Sequence, residues 1–379
     1  MYTVIVVSII ALALTFLNSR GQLRGGMAYG FMLLTFLGAI HYDYGNDYMG
    51  YYDIYKDVNE HTFDLALIFS GEVFKEPGWA LLCYLFKPLG GFFTMVAVLN
   101  VIQNTIVYRM IKREVERKWW PFALSIYLFN TSFYLLSFSM MRQALVMYVF
   151  LALWPLIKQR KIILTLLILL LCSTIHTSSI ILVPFAFIGY LPVKKGRMLS
   201  LVLIILFFLV WWQRDVLNDV LKVMSVMENV SKYEEVYADS DHTLTFGIGY
   251  LVGLIPFILS LSYIAQKRED NNAIRLVILS SVGYLLAPFS SIIPLISRLS
   301  YYFGMYSIIA TYRIYSGLTN AYLKYVLLFL YFLMMLFGYY GFFQSPIFGE
   351  YYNKFDTIFS VLFEEWIIYF SVWSHLLGL

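Results

Sequence analysis

The feature that most constrains this chain is a series of long apolar stretches separated by short charged clusters. Examples lie at residues 3–16, 162–172, 199–212 and 325–337. A helix needs about 20 mostly apolar residues to cross the hydrocarbon core of a bilayer. Strands of a membrane barrel would instead alternate apolar and polar residues over about 10 positions. The stretches therefore predict an all-α polytopic membrane protein.

Composition excludes a water-soluble globule. Of the 379 residues, 60% are hydrophobic and 13% are charged, whereas soluble domains are about 45–50% apolar and about 25% charged. Cys83 and Cys172 both lie inside apolar runs, so we expect neither a disulfide framework nor a cysteine-based metal site. Residues 1–17 lack a basic segment and a cleavage site, and we interpret them as a retained first helix.

We predict about twelve crossing helices, with a range of eleven to thirteen because some boundaries are weak. They are expected near residues 2–17, 27–41, 90–109, 119–137, 140–157, 161–175, 178–190, 198–213, 246–265, 273–290, 295–315 and 322–342. Loops on one side of this arrangement carry 18 of the 27 basic residues. Because basic loops concentrate on the cytoplasmic side of a bacterial inner membrane, that side is predicted to be inside and both termini outside.

The same topology predicts one integral-membrane domain, residues 1–379, with long external segments at 42–89 and 214–245 and an external tail after residue 343. Apolar spacing near 3.6 at 62–75 and 214–230 indicates amphipathic helices on the outer leaflet, or alternatively a solvated helical hairpin. Residues 366–379 form either a thirteenth crossing or an interfacial helix. Because long loops often carry functional residues, the working surface is predicted to face outward.

Familiar soluble-enzyme motifs are absent from the sequence. It has no Walker loop, dinucleotide fingerprint, His-Glu-x-x-His zinc site or Gly-x-Ser-x-Gly elbow. We therefore expect no cofactor, no resident metal and no nucleic-acid partner, although the 19 acidic residues on the outer side leave binding of a divalent ion open. The remaining candidates are polar residues in or beside the membrane helices, where they carry a cost in free energy and are often functional.

Two arginines and one histidine are such candidates. Arg142 and Arg298 each lie near the outer end of a predicted helix, where they either anchor the helix at the interface or share an anionic ligand such as a lipid diphosphate. His176 lies in a polar segment between two apolar runs. It is either hydrogen-bonded to a neighbouring helix or acts in proton transfer or phosphate binding.

The densest polar stretch follows the second predicted helix, over residues 41–55. Its carboxylates and aromatic rings suit a carbohydrate, although an aromatic belt at the membrane surface is the alternative. The candidates for substrate contact or catalysis in this stretch are His41, Asp43, Asp47, Tyr48 and Tyr52. Glu76 precedes Pro77 at the start of the next apolar segment, where it adds a carboxylate to the same surface or marks a helix start.

Taken in order, these motifs resemble the EpsG family of Wzy-type polysaccharide polymerases. The resemblance covers about residues 1–355 and rests on HYDYGNDY at 41–48, EPGW at 76–79, MRQA at 141–144, HTSS at 176–179 and SRLSYY at 297–302. One position departs from the family pattern, which has arginine where this chain has His41.

The resemblance implies a glycosyltransferase of GT-C-like architecture in the bacterial inner membrane, with its active site facing the periplasm or exterior. Its substrates would be oligosaccharide repeat units linked through a diphosphate to undecaprenol, and a chain-length regulator is a further candidate partner. We predict Asp47 as the general base, His176 as the second choice, and Arg142 and Arg298 as ligands of the diphosphate.

Other function classes remain open from the sequence. A lipid-linked oligosaccharide flippase or transporter would also have about twelve helices, but its ionisable residues would cluster near the bilayer midplane. Two further alternatives are another outer-face glycosyltransferase or ligase and a membrane O-acyltransferase that uses His176.

Overall fold

The computed structural model describes residues 1–212, 248–266, 270–289, 294–346 and 348–360. Regular structure in these residues is helical except for two short strands, β1 (His41–Tyr42) and β2 (Asp356–Thr357). The strands pair antiparallel, with His41 opposite Thr357 and Tyr42 opposite Asp356. The all-α class predicted from the sequence is confirmed.

We number the α-helices of the described residues in chain order. They are α1 (Tyr2–Ser19), α2 (Gly26–Ile40), α3 (Tyr48–Glu60), α4 (Leu65–Ser70), α5 (Pro77–Phe86), α6 (Gly91–Glu114), α7 (Trp120–Phe129), α8 (Leu136–Ser139), α9 (Met141–Ala152), α10 (Trp154–Lys158), α11 (Ile162–Ile175), α12 (Gly196–Trp212), α13 (Ile248–Ala265), α14 (Asn271–Leu286), α15 (Pro294–Gly304), α16 (Ser307–Ser316), α17 (Ala321–Gln344) and α18 (Gly349–Asn353). Short 3-10 helices cover Arg117–Trp119, Thr177–Tyr190 and Ala287–Phe289.

Several helices are suited to a membrane by length and composition. Among the described residues, five spans are long and apolar enough to cross a bilayer: α1, α6, the segment Met141–Lys158, the segment Asn271–Phe289 and α17. Further apolar helices of 10–17 residues include α2, α5, α11 and α12. The membrane class is confirmed, whereas the number twelve and the GT-C-like arrangement stay predictions.

Several predicted helices differ from those observed, and three of the differences have bearing on the fold. The helix expected at 119–137 ends at Phe129, because Asn130 is extended and its side chain accepts the Ser132 N–H at 3.1 Å. The segment expected as a helix at 178–190 is a 3-10 helix that contains Pro184, which removes a backbone donor. The helix expected at 295–315 is divided into α15 and α16.

The external segment predicted at 42–89 is largely structured, since it contains α3, α4 and α5. Within it, the amphipathic helix expected at 62–75 corresponds to the shorter α4. The expectations for 214–230, for most of 214–245 and for 366–379 lie outside the described residues.

The described chain divides into two compact units. The first comprises residues 1–156 and 161–186 and the described part of 337–379. In this unit α2 packs against α1 and α6, α9 packs against α6 and α11, and α5 contacts α3, α6 and α11. Buried side chains of α3, α5, α6 and α9 form one core, which includes Tyr51, Trp79, Cys83, Met95 and Met141. The partly buried Phe74 and Ile175 pack against this core.

The second unit comprises residues 157–160 and the described part of 187–336. Here α14 packs against α13, α15 and α16, and α12 packs against α13. A Cβ at Gly283 would lie 2.6 Å from the backbone nitrogen of Gly304, so these glycines permit close contact between α14 and α15. The prediction of a single membrane domain stays a prediction.

Candidate functional site

The polar turn after α2, residues 41–47, is fixed by long-range contacts. Its first two residues form β1, which pairs with β2, and the Gly45 N–H donates to the Tyr351 carbonyl at 3.3 Å. Gly45 has φ +113°, and a Cβ there would lie 2.6 Å from the Cβ of Ser139. Only glycine fits this conformation and this close approach. The turn is therefore held between the segment 351–357 and the end of α8.

Asp47 ends this turn as the N-cap residue of α3. Its backbone N–H donates to Ser139 Oγ at 3.0 Å, and Ser139 Oγ in turn donates to Asn46 Oδ1 at 3.0 Å. The Asn46 amide donates to Asp47 Oδ1 at 3.1 Å. Asp47 is half-buried, whereas Asp43 is exposed and has a left-handed φ of +44°. Ser139 thus connects the polar turn to the end of α8, three residues before Arg142.

Arg142 lies in the first turn of α9. Its Nη1 makes a short ion pair with Glu76 Oε2, and its Nε donates to the Tyr51 hydroxyl at 3.4 Å. The guanidinium carbon lies 5.4 Å from the ring centre of Tyr51 and 5.2 Å from that of Phe74. Cation–π contacts with two rings fix the plane of the guanidinium.

Glu76 is the N-cap residue of α5, but its carboxylate makes no capping hydrogen bond. Oε1 instead lies 3.2 Å from His176 Nδ1 and accepts hydrogen bonds from the Thr177 N–H at 2.9 Å and the Thr177 hydroxyl at 3.3 Å. Gly78 makes this contact possible, because a Cβ there would clash with Thr174. The start of α5 therefore lies directly against the end of α11.

Tyr51, Glu76, Arg142, His176 and Thr177 are called the Glu76 cluster below. The side chains of Glu76, His176 and Arg142 are 3%, 14% and 18% exposed. Burial raises the pKa of Glu76, but the hydrogen bond from His176, the charge of Arg142 and the Thr177 N–H together lower that pKa to about 2. The carboxylate is therefore ionised at neutral pH and accepts hydrogen bonds only.

The other residues predicted from the polar turn occupy different positions. His41 is buried, and its Nδ1 and Nε2 lie 2.6 and 3.4 Å from the carbonyls of Gly38 and Phe138. Tyr48 is also buried and donates to the His41 carbonyl at 3.3 Å. Both side chains therefore contact the protein interior, and their direct contact with substrate stays a prediction.

Tyr52 lies nearer the surface than Tyr48. It is half-buried, its ring stacks on Phe93 with centres 6.0 Å apart, and Lys56 Nζ lies 4.0 Å from its ring centre. Apolar ring faces of this kind suit the apolar face of a sugar, and contact between Tyr52 and substrate stays a prediction.

Arg298 belongs to the second unit, on α15, and is half-buried. Its predicted cooperation with Arg142 in binding one anion stays a prediction. The structure therefore brings three of the predicted residues into direct contact, namely Glu76, Arg142 and His176. Asp47 lies one helical turn from Tyr51, whose backbone N–H donates to the Asp47 carbonyl at 3.0 Å.

Sequence reasoning missed Tyr51, Phe74 and Thr177. Tyr51 had a detectable signal, since it lies four residues after Asp47 and shares a helix face with it once α3 is recognised. Thr177 acts partly through its backbone N–H, which a sequence does not reveal. In the part of the chain that the structure describes, no three histidine, cysteine or carboxylate side chains form a group that could hold a metal ion.

Buried ionisable groups with perturbed pKa values are candidates for a functional site. The sequence profile of the EpsG family matches residues 27–355, and the chain belongs to this family. The family groups membrane proteins of polysaccharide biosynthesis of the Wzy type. No curated protein sequence and no solved structure matches the chain significantly.

Proposed function

We propose that the chain is a polysaccharide polymerase that joins undecaprenyl-diphosphate-linked oligosaccharide repeat units at the outer face of the bacterial inner membrane. The observation that supports this proposal is the Glu76 cluster, in which Arg142 and His176 contact one buried carboxylate in a member of the EpsG family. The family supplies the class of substrate, and the cluster supplies groups that suit its diphosphate and its hydroxyls.

The reaction requires one bond to form as another breaks. A hydroxyl oxygen of the acceptor sugar forms a bond to the anomeric carbon of the donor sugar, and the bond from that carbon to the diphosphate breaks. The lipid diphosphate leaves with the electron pair, and a base takes the hydroxyl proton. Base catalysis and electrostatic stabilisation of the leaving group are the two contributions that the protein must supply.

Asp47 is the proposed base and His176 the second choice. Asp47 is half-buried at the start of α3 and is flanked by the aromatic residues that we propose as sugar contacts. Arg142 is proposed to bind the leaving diphosphate together with Arg298. Its Nη1 and Nε already contact Glu76 and Tyr51, while Nη2 has no hydrogen-bond partner among the described residues. Two N–H groups thus remain for phosphate oxygens.

The decisive experiment is polymerisation by the purified chain in proteoliposomes supplied with lipid-linked repeat units. Asp47→Asn should bind the donor almost normally and lose transfer by about 10²–10⁴-fold, the usual share of general base catalysis. Asp53→Asn is a matched control, because Asp53 is exposed on the same helix, and it should stay active.

Two results would change the assignment. If the wild-type chain moves lipid-linked units across the bilayer without elongating them, it is a transporter. If Asp47→Asn is fully active while His176→Ala is inactive, the base is His176, and the polar turn only binds the sugar.

A further inference from the structure

The position of Glu76 argues against direct contact between its carboxylate and a sugar. The side chain is 3% exposed, and both oxygens are engaged. Oε2 contacts Arg142, while Oε1 faces His176 and Thr177. A sugar hydroxyl would have to displace one of these partners, and removing a partner from a buried ion pair is strongly unfavourable. Glu76 therefore acts through its neighbours.

The effect of Glu76 on His176 follows from hydrogen-bond chemistry. An ionised carboxylate can only accept, so the His176 nitrogen that faces it must carry the proton. That nitrogen is Nδ1, 3.2 Å from Glu76 Oε1. In the neutral imidazole the other nitrogen, Nε2, then has a bare lone pair. The geometry thus selects one tautomer of His176.

Nε2 of His176 is buried and has no hydrogen-bond partner among the described residues. A buried acceptor without a donor is unfavourable, so a hydrogen bond from a ligand hydroxyl to this atom would stabilise the complex. The rest of the ring is close to the surface, since the side chain as a whole is 14% exposed. A hydroxyl entering beside the ring has a short path to Nε2.

We propose that Glu76 is a positioning residue that holds His176 in the Nδ1–H tautomer, so that Nε2 accepts a hydrogen bond from a substrate hydroxyl. The same carboxylate holds Arg142 by Nη1 and leaves Nη2 for an anion. The part of the proposal that concerns the hydroxyl rests on the proposed function. The tautomer itself does not, because it follows from the contacts of the Glu76 cluster alone.

Glu76→Gln is the most informative variant. Because Arg142 is charged, the oxygen of the new side-chain amide is expected to face it rather than the Thr177 N–H, which donates to Oε1 in the wild type. The N–H groups of that amide then turn toward His176 Nδ1. Nδ1 must then accept, and the proton moves to Nε2. The matched control is Glu72→Gln, four residues earlier in the same segment, because Glu72 is exposed. It should leave both the tautomer and the activity unchanged.

The first measurement is nitrogen NMR of the chain in lipid bilayers, with 15N-labelled histidine. The sequence has five histidines, and comparison with His176→Ala assigns the His176 signals. The wild type is expected to show a protonated Nδ1 and a bare Nε2, and Glu76→Gln the reverse. A wild-type spectrum with the proton on Nε2 overturns the proposal, even if Glu76→Gln does not fold and no polymer is made.

The second measurement is a double-mutant cycle on polymer formation. If Glu76 acts through His176, Glu76→Gln lowers kcat by about 10²-fold in the wild-type background and by less than about three-fold in the His176→Ala background. An equal loss in both backgrounds would contradict the positioning role. Glu76→Asp keeps the charge and should recover part of the lost kcat, whereas a merely structural role predicts no such recovery.

Discussion

Two glutamates are buried among the described residues of the first unit, and their surroundings differ. Glu76 lies at the start of α5 and Glu114 at the end of α6, with 2% and 7% exposure. Glu76 contacts groups from α9 and from the segment after α11, as described for the Glu76 cluster. Glu114 instead contacts its chain neighbour Arg113 at 2.9 Å and the indole nitrogen of Trp154 at 3.2 Å.

The two sets of partners differ in what else they can bind. The indole of Trp154 has a single donor, which Glu114 uses, and the Arg113 side chain is 49% exposed. Glu114 therefore ties the end of α6 to α10. In the Glu76 cluster, Arg142 Nη2 and His176 Nε2 have no hydrogen-bond partner among the described residues. The comparison makes the Glu76 cluster the better candidate for a ligand site, because its unpaired nitrogen, His176 Nε2, is buried, whereas the Arg113 side chain is half exposed to solvent.

The largest expected difference between the two regions is the side of the membrane that they face. The charge distribution predicts Glu60 and the Glu76 cluster outside and Lys118, near Glu114, inside. Both test positions are exposed, and the Lys118 side chain is 72% exposed. A cysteine in place of Glu60 should react fully with an impermeant thiol reagent in cells without an outer membrane, and one in place of Lys118 should not react.

Background labelling is expected to be low, because Cys83 and Cys172 are buried. The Lys118 variant should react once the cells are permeabilised, which controls for accessibility. Labelling at position 118 in intact cells, with protection at position 60, would reverse the sidedness and place the Glu76 cluster in the cytoplasm.

The next largest effect concerns the arginine partner of each glutamate. Arg142→Lys keeps a positive charge beside Glu76 but cannot contact the carboxylate and a phosphate in one plane. We expect it to lower transfer by about 10²–10³-fold, comparable with the loss of one donor to a developing negative charge. Arg113→Lys should reduce transfer less than about three-fold.

Both arginine variants are to be compared at equal amounts of inserted protein in the proteoliposome assay. Normal polymer formation by Arg142→Lys would mean that Arg142 is an interfacial anchor. The distinction between the two buried glutamates would then rest on His176 alone.

The membrane class of this chain was accessible from the sequence, whereas the contacts of the site were not. Long apolar stretches specify helices in a bilayer because every backbone polar group must be satisfied within the segment. Glu76, Arg142 and His176 were each recognisable as polar residues at helix boundaries. Their contact was not, because it joins positions 66 and 100 residues apart through helix packing.

The polar turn shows the same limit. Its residues were recognised as a group, but β1 pairs with β2 more than 300 residues later, and this pairing leaves no local signal. The burial of His41 and Tyr48 beneath the turn also depends on tertiary packing against Phe138 and Phe92. The prediction of an external segment at 42–89 did not include α3, the helix on which Tyr51 lies.

The smallest expected effect is a pH dependence of stability that belongs to Glu76. The pKa of its carboxyl is lowered from 4.5 to about 2 in the folded chain. Between these values the unfolded chain binds a proton that the folded chain does not, so the contribution of Glu76 to stability falls as the pH falls. Above about pH 4.5 this contribution is complete and does not vary with pH.

Other carboxyl groups titrate in the same range, so the quantity to measure is the difference in unfolding midpoint between the wild type and Glu76→Gln. We expect this difference to be constant from pH 7 to about pH 5 and to shrink steadily toward pH 3, because the variant has no carboxyl to protonate. Tryptophan fluorescence during heating in detergent, at one scan rate, reports the midpoint through the eight tryptophans of the chain. Glu72→Gln should follow the wild type at every pH, since Glu72 is exposed. A difference that stays constant down to pH 3 would show that Glu76 is not a charged partner of Arg142 and His176, and it would remove the electrostatic basis for distinguishing Glu76 from Glu114.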